Sequence, residues 1–260
     1  MPGLLRYKSM LTHITFMVFV AIAVYAQSVT GFALVLILLG LVGLVDLVPL
    51  PDAANAVTVL IIVNALMFFY RRKTARIERG IMSAVGTTLV GTFLGMLLLA
   101  FLAANAYQVL KLVLGFSIVA CAVLLWRTSS PFKTTSGSGY FAAIGLVSGV
   151  LGGLFAAAGP PLVYAVYRQP WPIERIQESL IFCFAVGAVL RLLLVIAYGD
   201  FSRLALILAV EAIPITLIVT SLSASRPPPV SGASMKHIVS LLLVGSGLGM
   251  LFSSISAMLA

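Results

Sequence analysis

The sequence predicts an all-α fold, a polytopic membrane helix bundle of two repeated halves, each opening with a broken or hairpin helix. Three observations carry that prediction. Of 260 residues, 62% are apolar and only 9% charged, whereas a soluble domain carries roughly 25% charged residues. With a mean hydropathy of +1.18, the outer surface must face lipid, which excludes a soluble enzyme. The apolar residues form continuous runs, not the alternation a membrane barrel needs. Finally, two of these runs are too long for one crossing and contain helix-breaking residues.

Taken in order, the chain shows eight apolar blocks, and a bilayer core about 30 Å thick takes about 20 helical residues each. The first, 12–48, is interrupted by Gln27-Ser28-Val29-Thr30-Gly31. Val24-Tyr25-Ala26 is similar to a leader-cleavage site, but the apolar run resumes at Phe32, so a retained first helix is expected. Pro49-Leu50-Pro51-Asp52 then leads into block 53–70. Arg71, Arg72, Lys73, Arg76 and Arg79 follow in one short loop, the mark of a cytoplasmic segment. That placement, and not nucleic-acid binding, accounts for much of the net charge of +9. Blocks 81–103 and 107–126 complete a first half, residues 1–127, with Gly91 and Gly95 expected to serve close helix packing.

A linker, 128–139, contains Ser129-Ser130-Pro131 and Gly137-Ser138-Gly139. The second half, 140–260, opens with block 140–167, which holds Ser148-Gly149-Val150-Leu151-Gly152-Gly153 and then Gly159-Pro160-Pro161. Blocks 176–198, 204–222 and 237–258 follow, set apart by Gly199-Asp200 and Arg226-Pro227-Pro228-Pro229. Setting Pro51 against Pro172 places Thr58 opposite Ser179 and Tyr70 opposite Arg191, and Lys111 and Lys236 stand near the start of the closing spans. If blocks one and five each cross twice, Arg6, Lys8 and Arg203 move outside, while Arg168, Arg175, Arg226 and Lys236 move inside. The Lys/Arg majority stays with the 71–79 loop either way, so charge leaves eight and ten spans both open.

The breaks carry the functional reading. Glycine permits non-helical turns and proline lacks a donor, so each break leaves backbone groups that lipid cannot satisfy. Such groups survive against a cavity, where free N–H groups attract anions. Paired breaks in repeated halves are the arrangement of secondary transporters. Gln27, Ser28, Thr30 and Gly31 at the first break, and Gly153, Gly159 and Pro160 at the second, are therefore candidate substrate-binding residues. Arg191, amid apolar residues in block six, is the main ionisable candidate. Its flat fork of donors suits carboxylate, sulfonate or phosphate oxygens. Asn64 is a neutral candidate donor whose commoner use is a helix–helix hydrogen bond.

Glu211, just before Pro214, is a candidate carrier of a coupling proton, or else a clamp on Arg191 or another base. His13 and His237 are isolated near span ends and make no metal site; Cys121 and Cys183 read as small hydrophobes. Trp126 and Trp171 end spans as interfacial aromatics do. No cofactor or catalytic motif is present, so the expected function is not enzymatic. The partners expected are a small anion, the lipid bilayer and protons as coupling ion. The alternatives are a carrier of another small carboxylate or amino-acid-like anion, and a membrane scaffold that moves nothing.

Several of these motifs recur together in one family. Val29-Thr30-Gly31-Phe32, Pro51-Asp52-Ala53-Ala54-Asn55-Ala56 and Phe69-Tyr70-Arg71-Arg72-Lys73 come first. The run from Gly145 to Gly153 and Gly159-Pro160-Pro161 supply the second half. On these residues the chain resembles the TauE/SafE sulfite and organosulfonate exporters, also described as the 4-toluene sulfonate uptake permease family. The resemblance covers nearly the whole chain and extends to an arginine at the position of Arg191. One departure is the first break, where Gly31 stands alone instead of in a run of glycines. The resemblance implies movement, by export, of sulfite or organosulfonates such as sulfoacetate across a bacterial inner membrane. Alternating access would run around a midplane anion site.

Overall fold

The computed structural model describes residues 2–71, 76–126, 132–225 and 232–259. Arg72, Lys73, Arg127, Ser129-Ser130-Pro131 and the Arg226–Pro229 stretch lie outside the described residues, as do the side chains of Arg6, Lys8, Trp126, Lys236 and His237. Among the described residues there are ten α-helices and no strand. They are α1 (Pro2–Thr30), α2 (Leu34–Leu44), α3 (Leu50–Arg71), α4 (Met82–Asn105), α5 (Tyr107–Trp126), α6 (Ser138–Phe155), α7 (Gly159–Tyr167), α8 (Ile173–Ala197), α9 (Arg203–Ser225) and α10 (Gly232–Leu259). Six of the described helices are long and apolar enough to cross a membrane. Large apolar side chains such as Leu66, Phe116 and Phe252 stand exposed on the outside, where lipid would cover them.

Both overlong blocks are broken, as expected. The first break lies at residues 31–33, where Gly31 takes φ +84°. That left-handed backbone suits a residue without Cβ. Beyond it, α2 is apolar on every side, and nine of its eleven residues are buried, as a helix without a polar face must be. The second break lies at residues 156–158 with Ala156 at φ +58°. Here α7 begins on Gly159-Pro160-Pro161, and proline fits a first turn because its missing N–H would have no helical acceptor there.

The glycine run before this break does something other than expected. Gly145, Gly149 and Gly153 do not open the backbone toward a cavity. They lie within α6 and press against α4: a Cβ on them would stand 2.4, 2.4 and 2.3 Å from the carbonyl oxygens of Ala84, Thr88 and Thr92. Gly91 and Gly95 answer from α4, where a Cβ would meet the carbonyls of Leu146 and Val150 at 2.3 and 2.2 Å. Helices in lipid associate through such small-residue faces because the backbones can then approach closely.

Those contacts also give direction. Residues 84, 88 and 92 of α4 meet 145, 149 and 153 of α6, so the two helices run parallel. Likewise α1 runs parallel to α9, since His13 meets Glu211 and Ser28 shares a cavity with Ser223. At the end carrying the basic loop, Tyr167 of α7 donates to Thr30 O, and Phe132 N donates to Arg168 O. At the opposite end Asn55 donates to Asp200 O, and Ser202 to Asp52. Direction therefore reverses at every connection, including both breaks, which is the alternative in which blocks one and five each turn back. The short arms α2 and α7, 11 and 9 residues long, rise only about 16 and 14 Å and are hairpin arms rather than full crossings.

Helices α1–α5 and α6–α10 pack on each other reciprocally. Helix α3 lies against α8 and α5 against α10, while α1 meets α9 and α4 meets α6. In the same way α2 packs on α10 and α7 on α5. Buried Lys111 of α5 pairs with Asp46, just past α2. Trp171 stacks on Phe141 at 5.7 Å.

Candidate functional site

A cavity of about 570 Å³ opens among the ends of α1, α3 and α9 and the start of α8. Its wall is Gln27, Ser28 and Gly31 from α1, Asn64, Phe68 and Arg71 from α3, Gln177 and Ile181 from α8, and Thr220 and Ser223 from α9. Arg71 begins the basic loop, so the cavity lies at the face that the charge distribution leads one to expect on the cytoplasmic side. Among these residues Arg71 is the cation and there is no carboxylate.

Local bonding shapes the wall. Ser28 and Thr30 turn their hydroxyls back onto Val24 O and Ala26 O at 2.9 and 2.8 Å, and the Gly31 N–H donates to Gln27 O at 2.6 Å. The Gly31 N–H is therefore not free for an anion, contrary to expectation. What the break presents to the cavity is the side chains of Gln27 and Ser28 and the close approach of Gly31 to Gln177. Asn64 makes the helix–helix hydrogen bond expected of it, its Oδ1 accepting from Thr220 Oγ1 at 2.8 Å, and it also lines the cavity. Arg71 is steadied by Nη1 donating to Ser221 O at 3.3 Å.

Gly31 supplies a first test. A Cβ there would lie 3.1 Å from Gln177 Cγ and would impose a side chain on φ +84°. Gly31→Ala is expected to lower stability by about 1–2 kcal/mol and to displace Gln177 into the cavity. Thermal unfolding of the purified protein checks the first effect and anion affinity the second.

Arg191 sits elsewhere. It is 1% exposed, near the end of α8 distant from the cavity opening, and does not line that cavity. Its Nε donates to Gly153 O at 3.1 Å, and Nη1 meets Thr58 Oγ1 at 2.7, Asn55 Oδ1 at 2.9 and Ala54 O at 3.3 Å. The guanidinium thus ties together α3, α6 and α8. Gly153 contributes a carbonyl here, in place of the free N–H expected of it. Gly159 and Pro160 start α7 beside the second break, with Leu36 of α2 facing Gly159.

Glu211 joins neither group. It pairs with His13 at 2.6 Å on the outer α1–α9 face, so of its two expected roles as a clamp, the partner is another base and not Arg191. The sequence-predicted residues therefore divide in four, one group being Gly159 and Pro160 at the second break. Gln27, Ser28, Gly31 and Asn64 share the cavity, with Thr30 just behind; Gly153 and Arg191 share a buried cluster; and Glu211 stands apart. Sequence reasoning missed Arg71, Gln177, Thr220 and Ser223 as wall residues. Arg71 was absorbed into the topology signal, and the others are ordinary polar residues near helix ends. Asn55 and Thr58 were visible only as parts of a motif and of the repeat register.

Comparison with known proteins agrees with this architecture. The family described as "Sulfite exporter TauE/SafE" matches residues 16–250. The chain is similar to a protein of Cupriavidus necator named "Probable sulfite/organosulfonate exporter TauE", with 29% identity over 233 residues. That similarity covers 90% of this chain and 91% of the relative. No solved structure matches.

Proposed function

The chain belongs to the TauE/SafE family of sulfite exporters, and from that premise we propose that it carries sulfite or small organosulfonates such as sulfoacetate out across a bacterial inner membrane. The observation that supports this reading best is the polar cavity on the basic-loop face, with Arg71 and several neutral donors in its wall and no carboxylate among its described residues. Gln27, Ser28, Gly31 and Asn64, braced by Thr30, are the residues that receive the anion. At the opposite end Arg191, held to Gly153 and to α3, closes the path, with Gly159 and Pro160 at the break beside it.

The helix directions and reciprocal packing support two inverted repeats, residues 1–127 and 140–260, joined by 128–139. Inverted repeats with broken helices let one half rock against the other around a central site. In this reading the structure is open toward the cytoplasm and closed at the other face. Protons are the coupling ion, taken up by Glu211 together with His13, because ionisable groups within spanning helices are costly and so mark candidate proton carriers.

The test is the heat stability of the purified protein against sulfite, thiosulfate, sulfoacetate, isethionate, taurine and malonate. A ligand at a hundred times its dissociation constant stabilises by about 2.7 kcal/mol. Stabilisation by sulfur oxyanions, with affinity about tenfold weaker in Arg71→Gln, is the expected result; tenfold is the scale of one charge-assisted hydrogen bond. Stabilisation by malonate alone would overturn the substrate while leaving the fold.

A further inference from the structure

We propose that the Arg191 cluster is a second oxyanion site, separate from the cavity, in which the transported anion replaces Asn55 and Thr58 on the guanidinium. This rests on the transport reading above and adds a defined exchange of partners to it.

The guanidinium is used unevenly. Nη1 has two hydrogens and faces three acceptors, on Ala54, Asn55 and Thr58. Nη2, equally buried, has no partner among the described residues. Leaving a buried donor unpaired is unfavourable, and no carboxylate is bonded to this arginine to account for its charge. A flat fork with one prong bare and the other crowded is poorly matched to the neutral acceptors around it. It is well matched to two oxygens of one anion, taken up by Nη1 and Nη2 together.

The surroundings are prepared for such an exchange. Thr58 Oγ1 also donates to Ala54 O at 2.7 Å, and Asn55 Nδ2 to Asp200 O at 3.0 Å. Each therefore keeps a hydrogen bond after releasing Arg191. On the neighbouring helices, Thr92 Oγ1 and Ser148 Oγ are likewise buried and without partners among the described residues. Thr92 Oγ1 lies 3.8 Å from the Cβ position of Gly187, one turn before Arg191 on α8. Unpartnered polar groups thus stand on α4 and α6 as well as on α8, outside the wall of the cavity, and Thr92 among them faces α8 one turn from Arg191. The chemical class that fits is a compact oxyanion with three or more oxygens, able to engage the fork and still accept from hydroxyls. Sulfite and the sulfonate head group both qualify.

If Asn55 and Thr58 compete with the anion, weakening them must tighten its binding. Both are positioning residues, and the distinguishing readout is the direction of the effect. In the full-length protein, Thr58→Val is expected to bind sulfite at least threefold more tightly. In proteoliposomes the same variant should lower KM and kcat together, because a better-held anion leaves more slowly. Asn55→Asp, which sets a carboxylate against Arg191, is expected to weaken sulfite binding tenfold or more. Thr58→Ser keeps the acceptor and should restore ordinary values. Unchanged or weaker sulfite binding by a folded Thr58→Val protein, with the unsubstituted protein still moving sulfite, overturns the second site and leaves the transport reading intact. If Thr58→Val does not fold, Asn55→Asp decides alone, and ordinary affinity there overturns the proposal. Failure of the unsubstituted protein to bind or move any sulfur oxyanion would instead remove the transport reading, and the second site with it.

Discussion

Replacing Arg191 with methionine is expected to slow anion efflux from proteoliposomes by about a hundredfold or more, about 2.7 kcal/mol of barrier, with little loss of heat stability. The two halves of this expectation have separate causes. Arg191 is buried and bonded only to neutral acceptors, so its charge carries a desolvation penalty of several kcal/mol that no carboxylate offsets. Its hydrogen bonds, each worth about 1.5–3 kcal/mol to a charged donor, recover that penalty. Methionine removes both terms and fills similar volume. Nor does its arrival strand an opposite charge, since Thr58 and Asn55 keep bonds to Ala54 O and Asp200 O. The measurement is paired, melting temperature and sulfite efflux on the same preparation. A parallel collapse of both would make Arg191 a structural clamp and nothing more.

Gly149→Ala is expected to do the reverse and destroy the fold first. The new methyl group would stand 2.4 Å from Thr88 O and 2.9 Å from the Cα atoms of Thr88 and Gly91. All three are backbone atoms, so no side-chain rotation relieves the overlap, and α4 and α6 must separate along their length. Overpacking of this kind costs about 3 kcal/mol or more, which should appear as a large fall in melting temperature or loss of a monodisperse protein. Gly86 offers the control. It lies on the same α4 with nothing within 4 Å of its Cβ position, so Gly86→Ala should be neutral or slightly stabilising through helix propensity. Equal behaviour of the two variants would show that close approach at this seam is not what holds the helices together.

Much of the architecture was legible because the bilayer imposes it. A spanning segment must be apolar, helical and about 20 residues long, so the blocks and both overlong runs stood out, and Gly31 marked its own break. The hydropathy of block five could not say where its break falls. Glycines that turn a chain and glycines that let two helices touch look alike in sequence, and only the facing carbonyls of α4 assign Gly145, Gly149 and Gly153 to the second use. Charge counting failed to choose between eight and ten spans because the bases that the reversals move outward, Arg6, Lys8 and Arg203, are nearly balanced by those moved inward, Arg168, Arg175, Arg226 and Lys236. The site was half readable. Gln27, Ser28 and Asn64 announced themselves as polar residues in apolar runs. Arg191 did too, but its separation from the cavity follows from where α3 and α8 cross, which no local pattern encodes.

The glycine-lined seam between α4 and α6 also has a mechanical meaning. Two rods interlocked carbonyl against glycine at Gly91, Gly95, Gly145, Gly149 and Gly153 cannot slide or rotate past one another without collision. They behave as a single beam. Any rocking of the molecule must then be absorbed by softer parts, and the partner arrangement of α1 against α9 provides one. Pro214 inside α9 omits a backbone hydrogen bond between the half bearing Glu211 and the half that ends in Thr220 and Ser223. The bundle therefore pairs a stiff flank with a jointed one, and a lever of that kind bends on the jointed side, where the cavity lies.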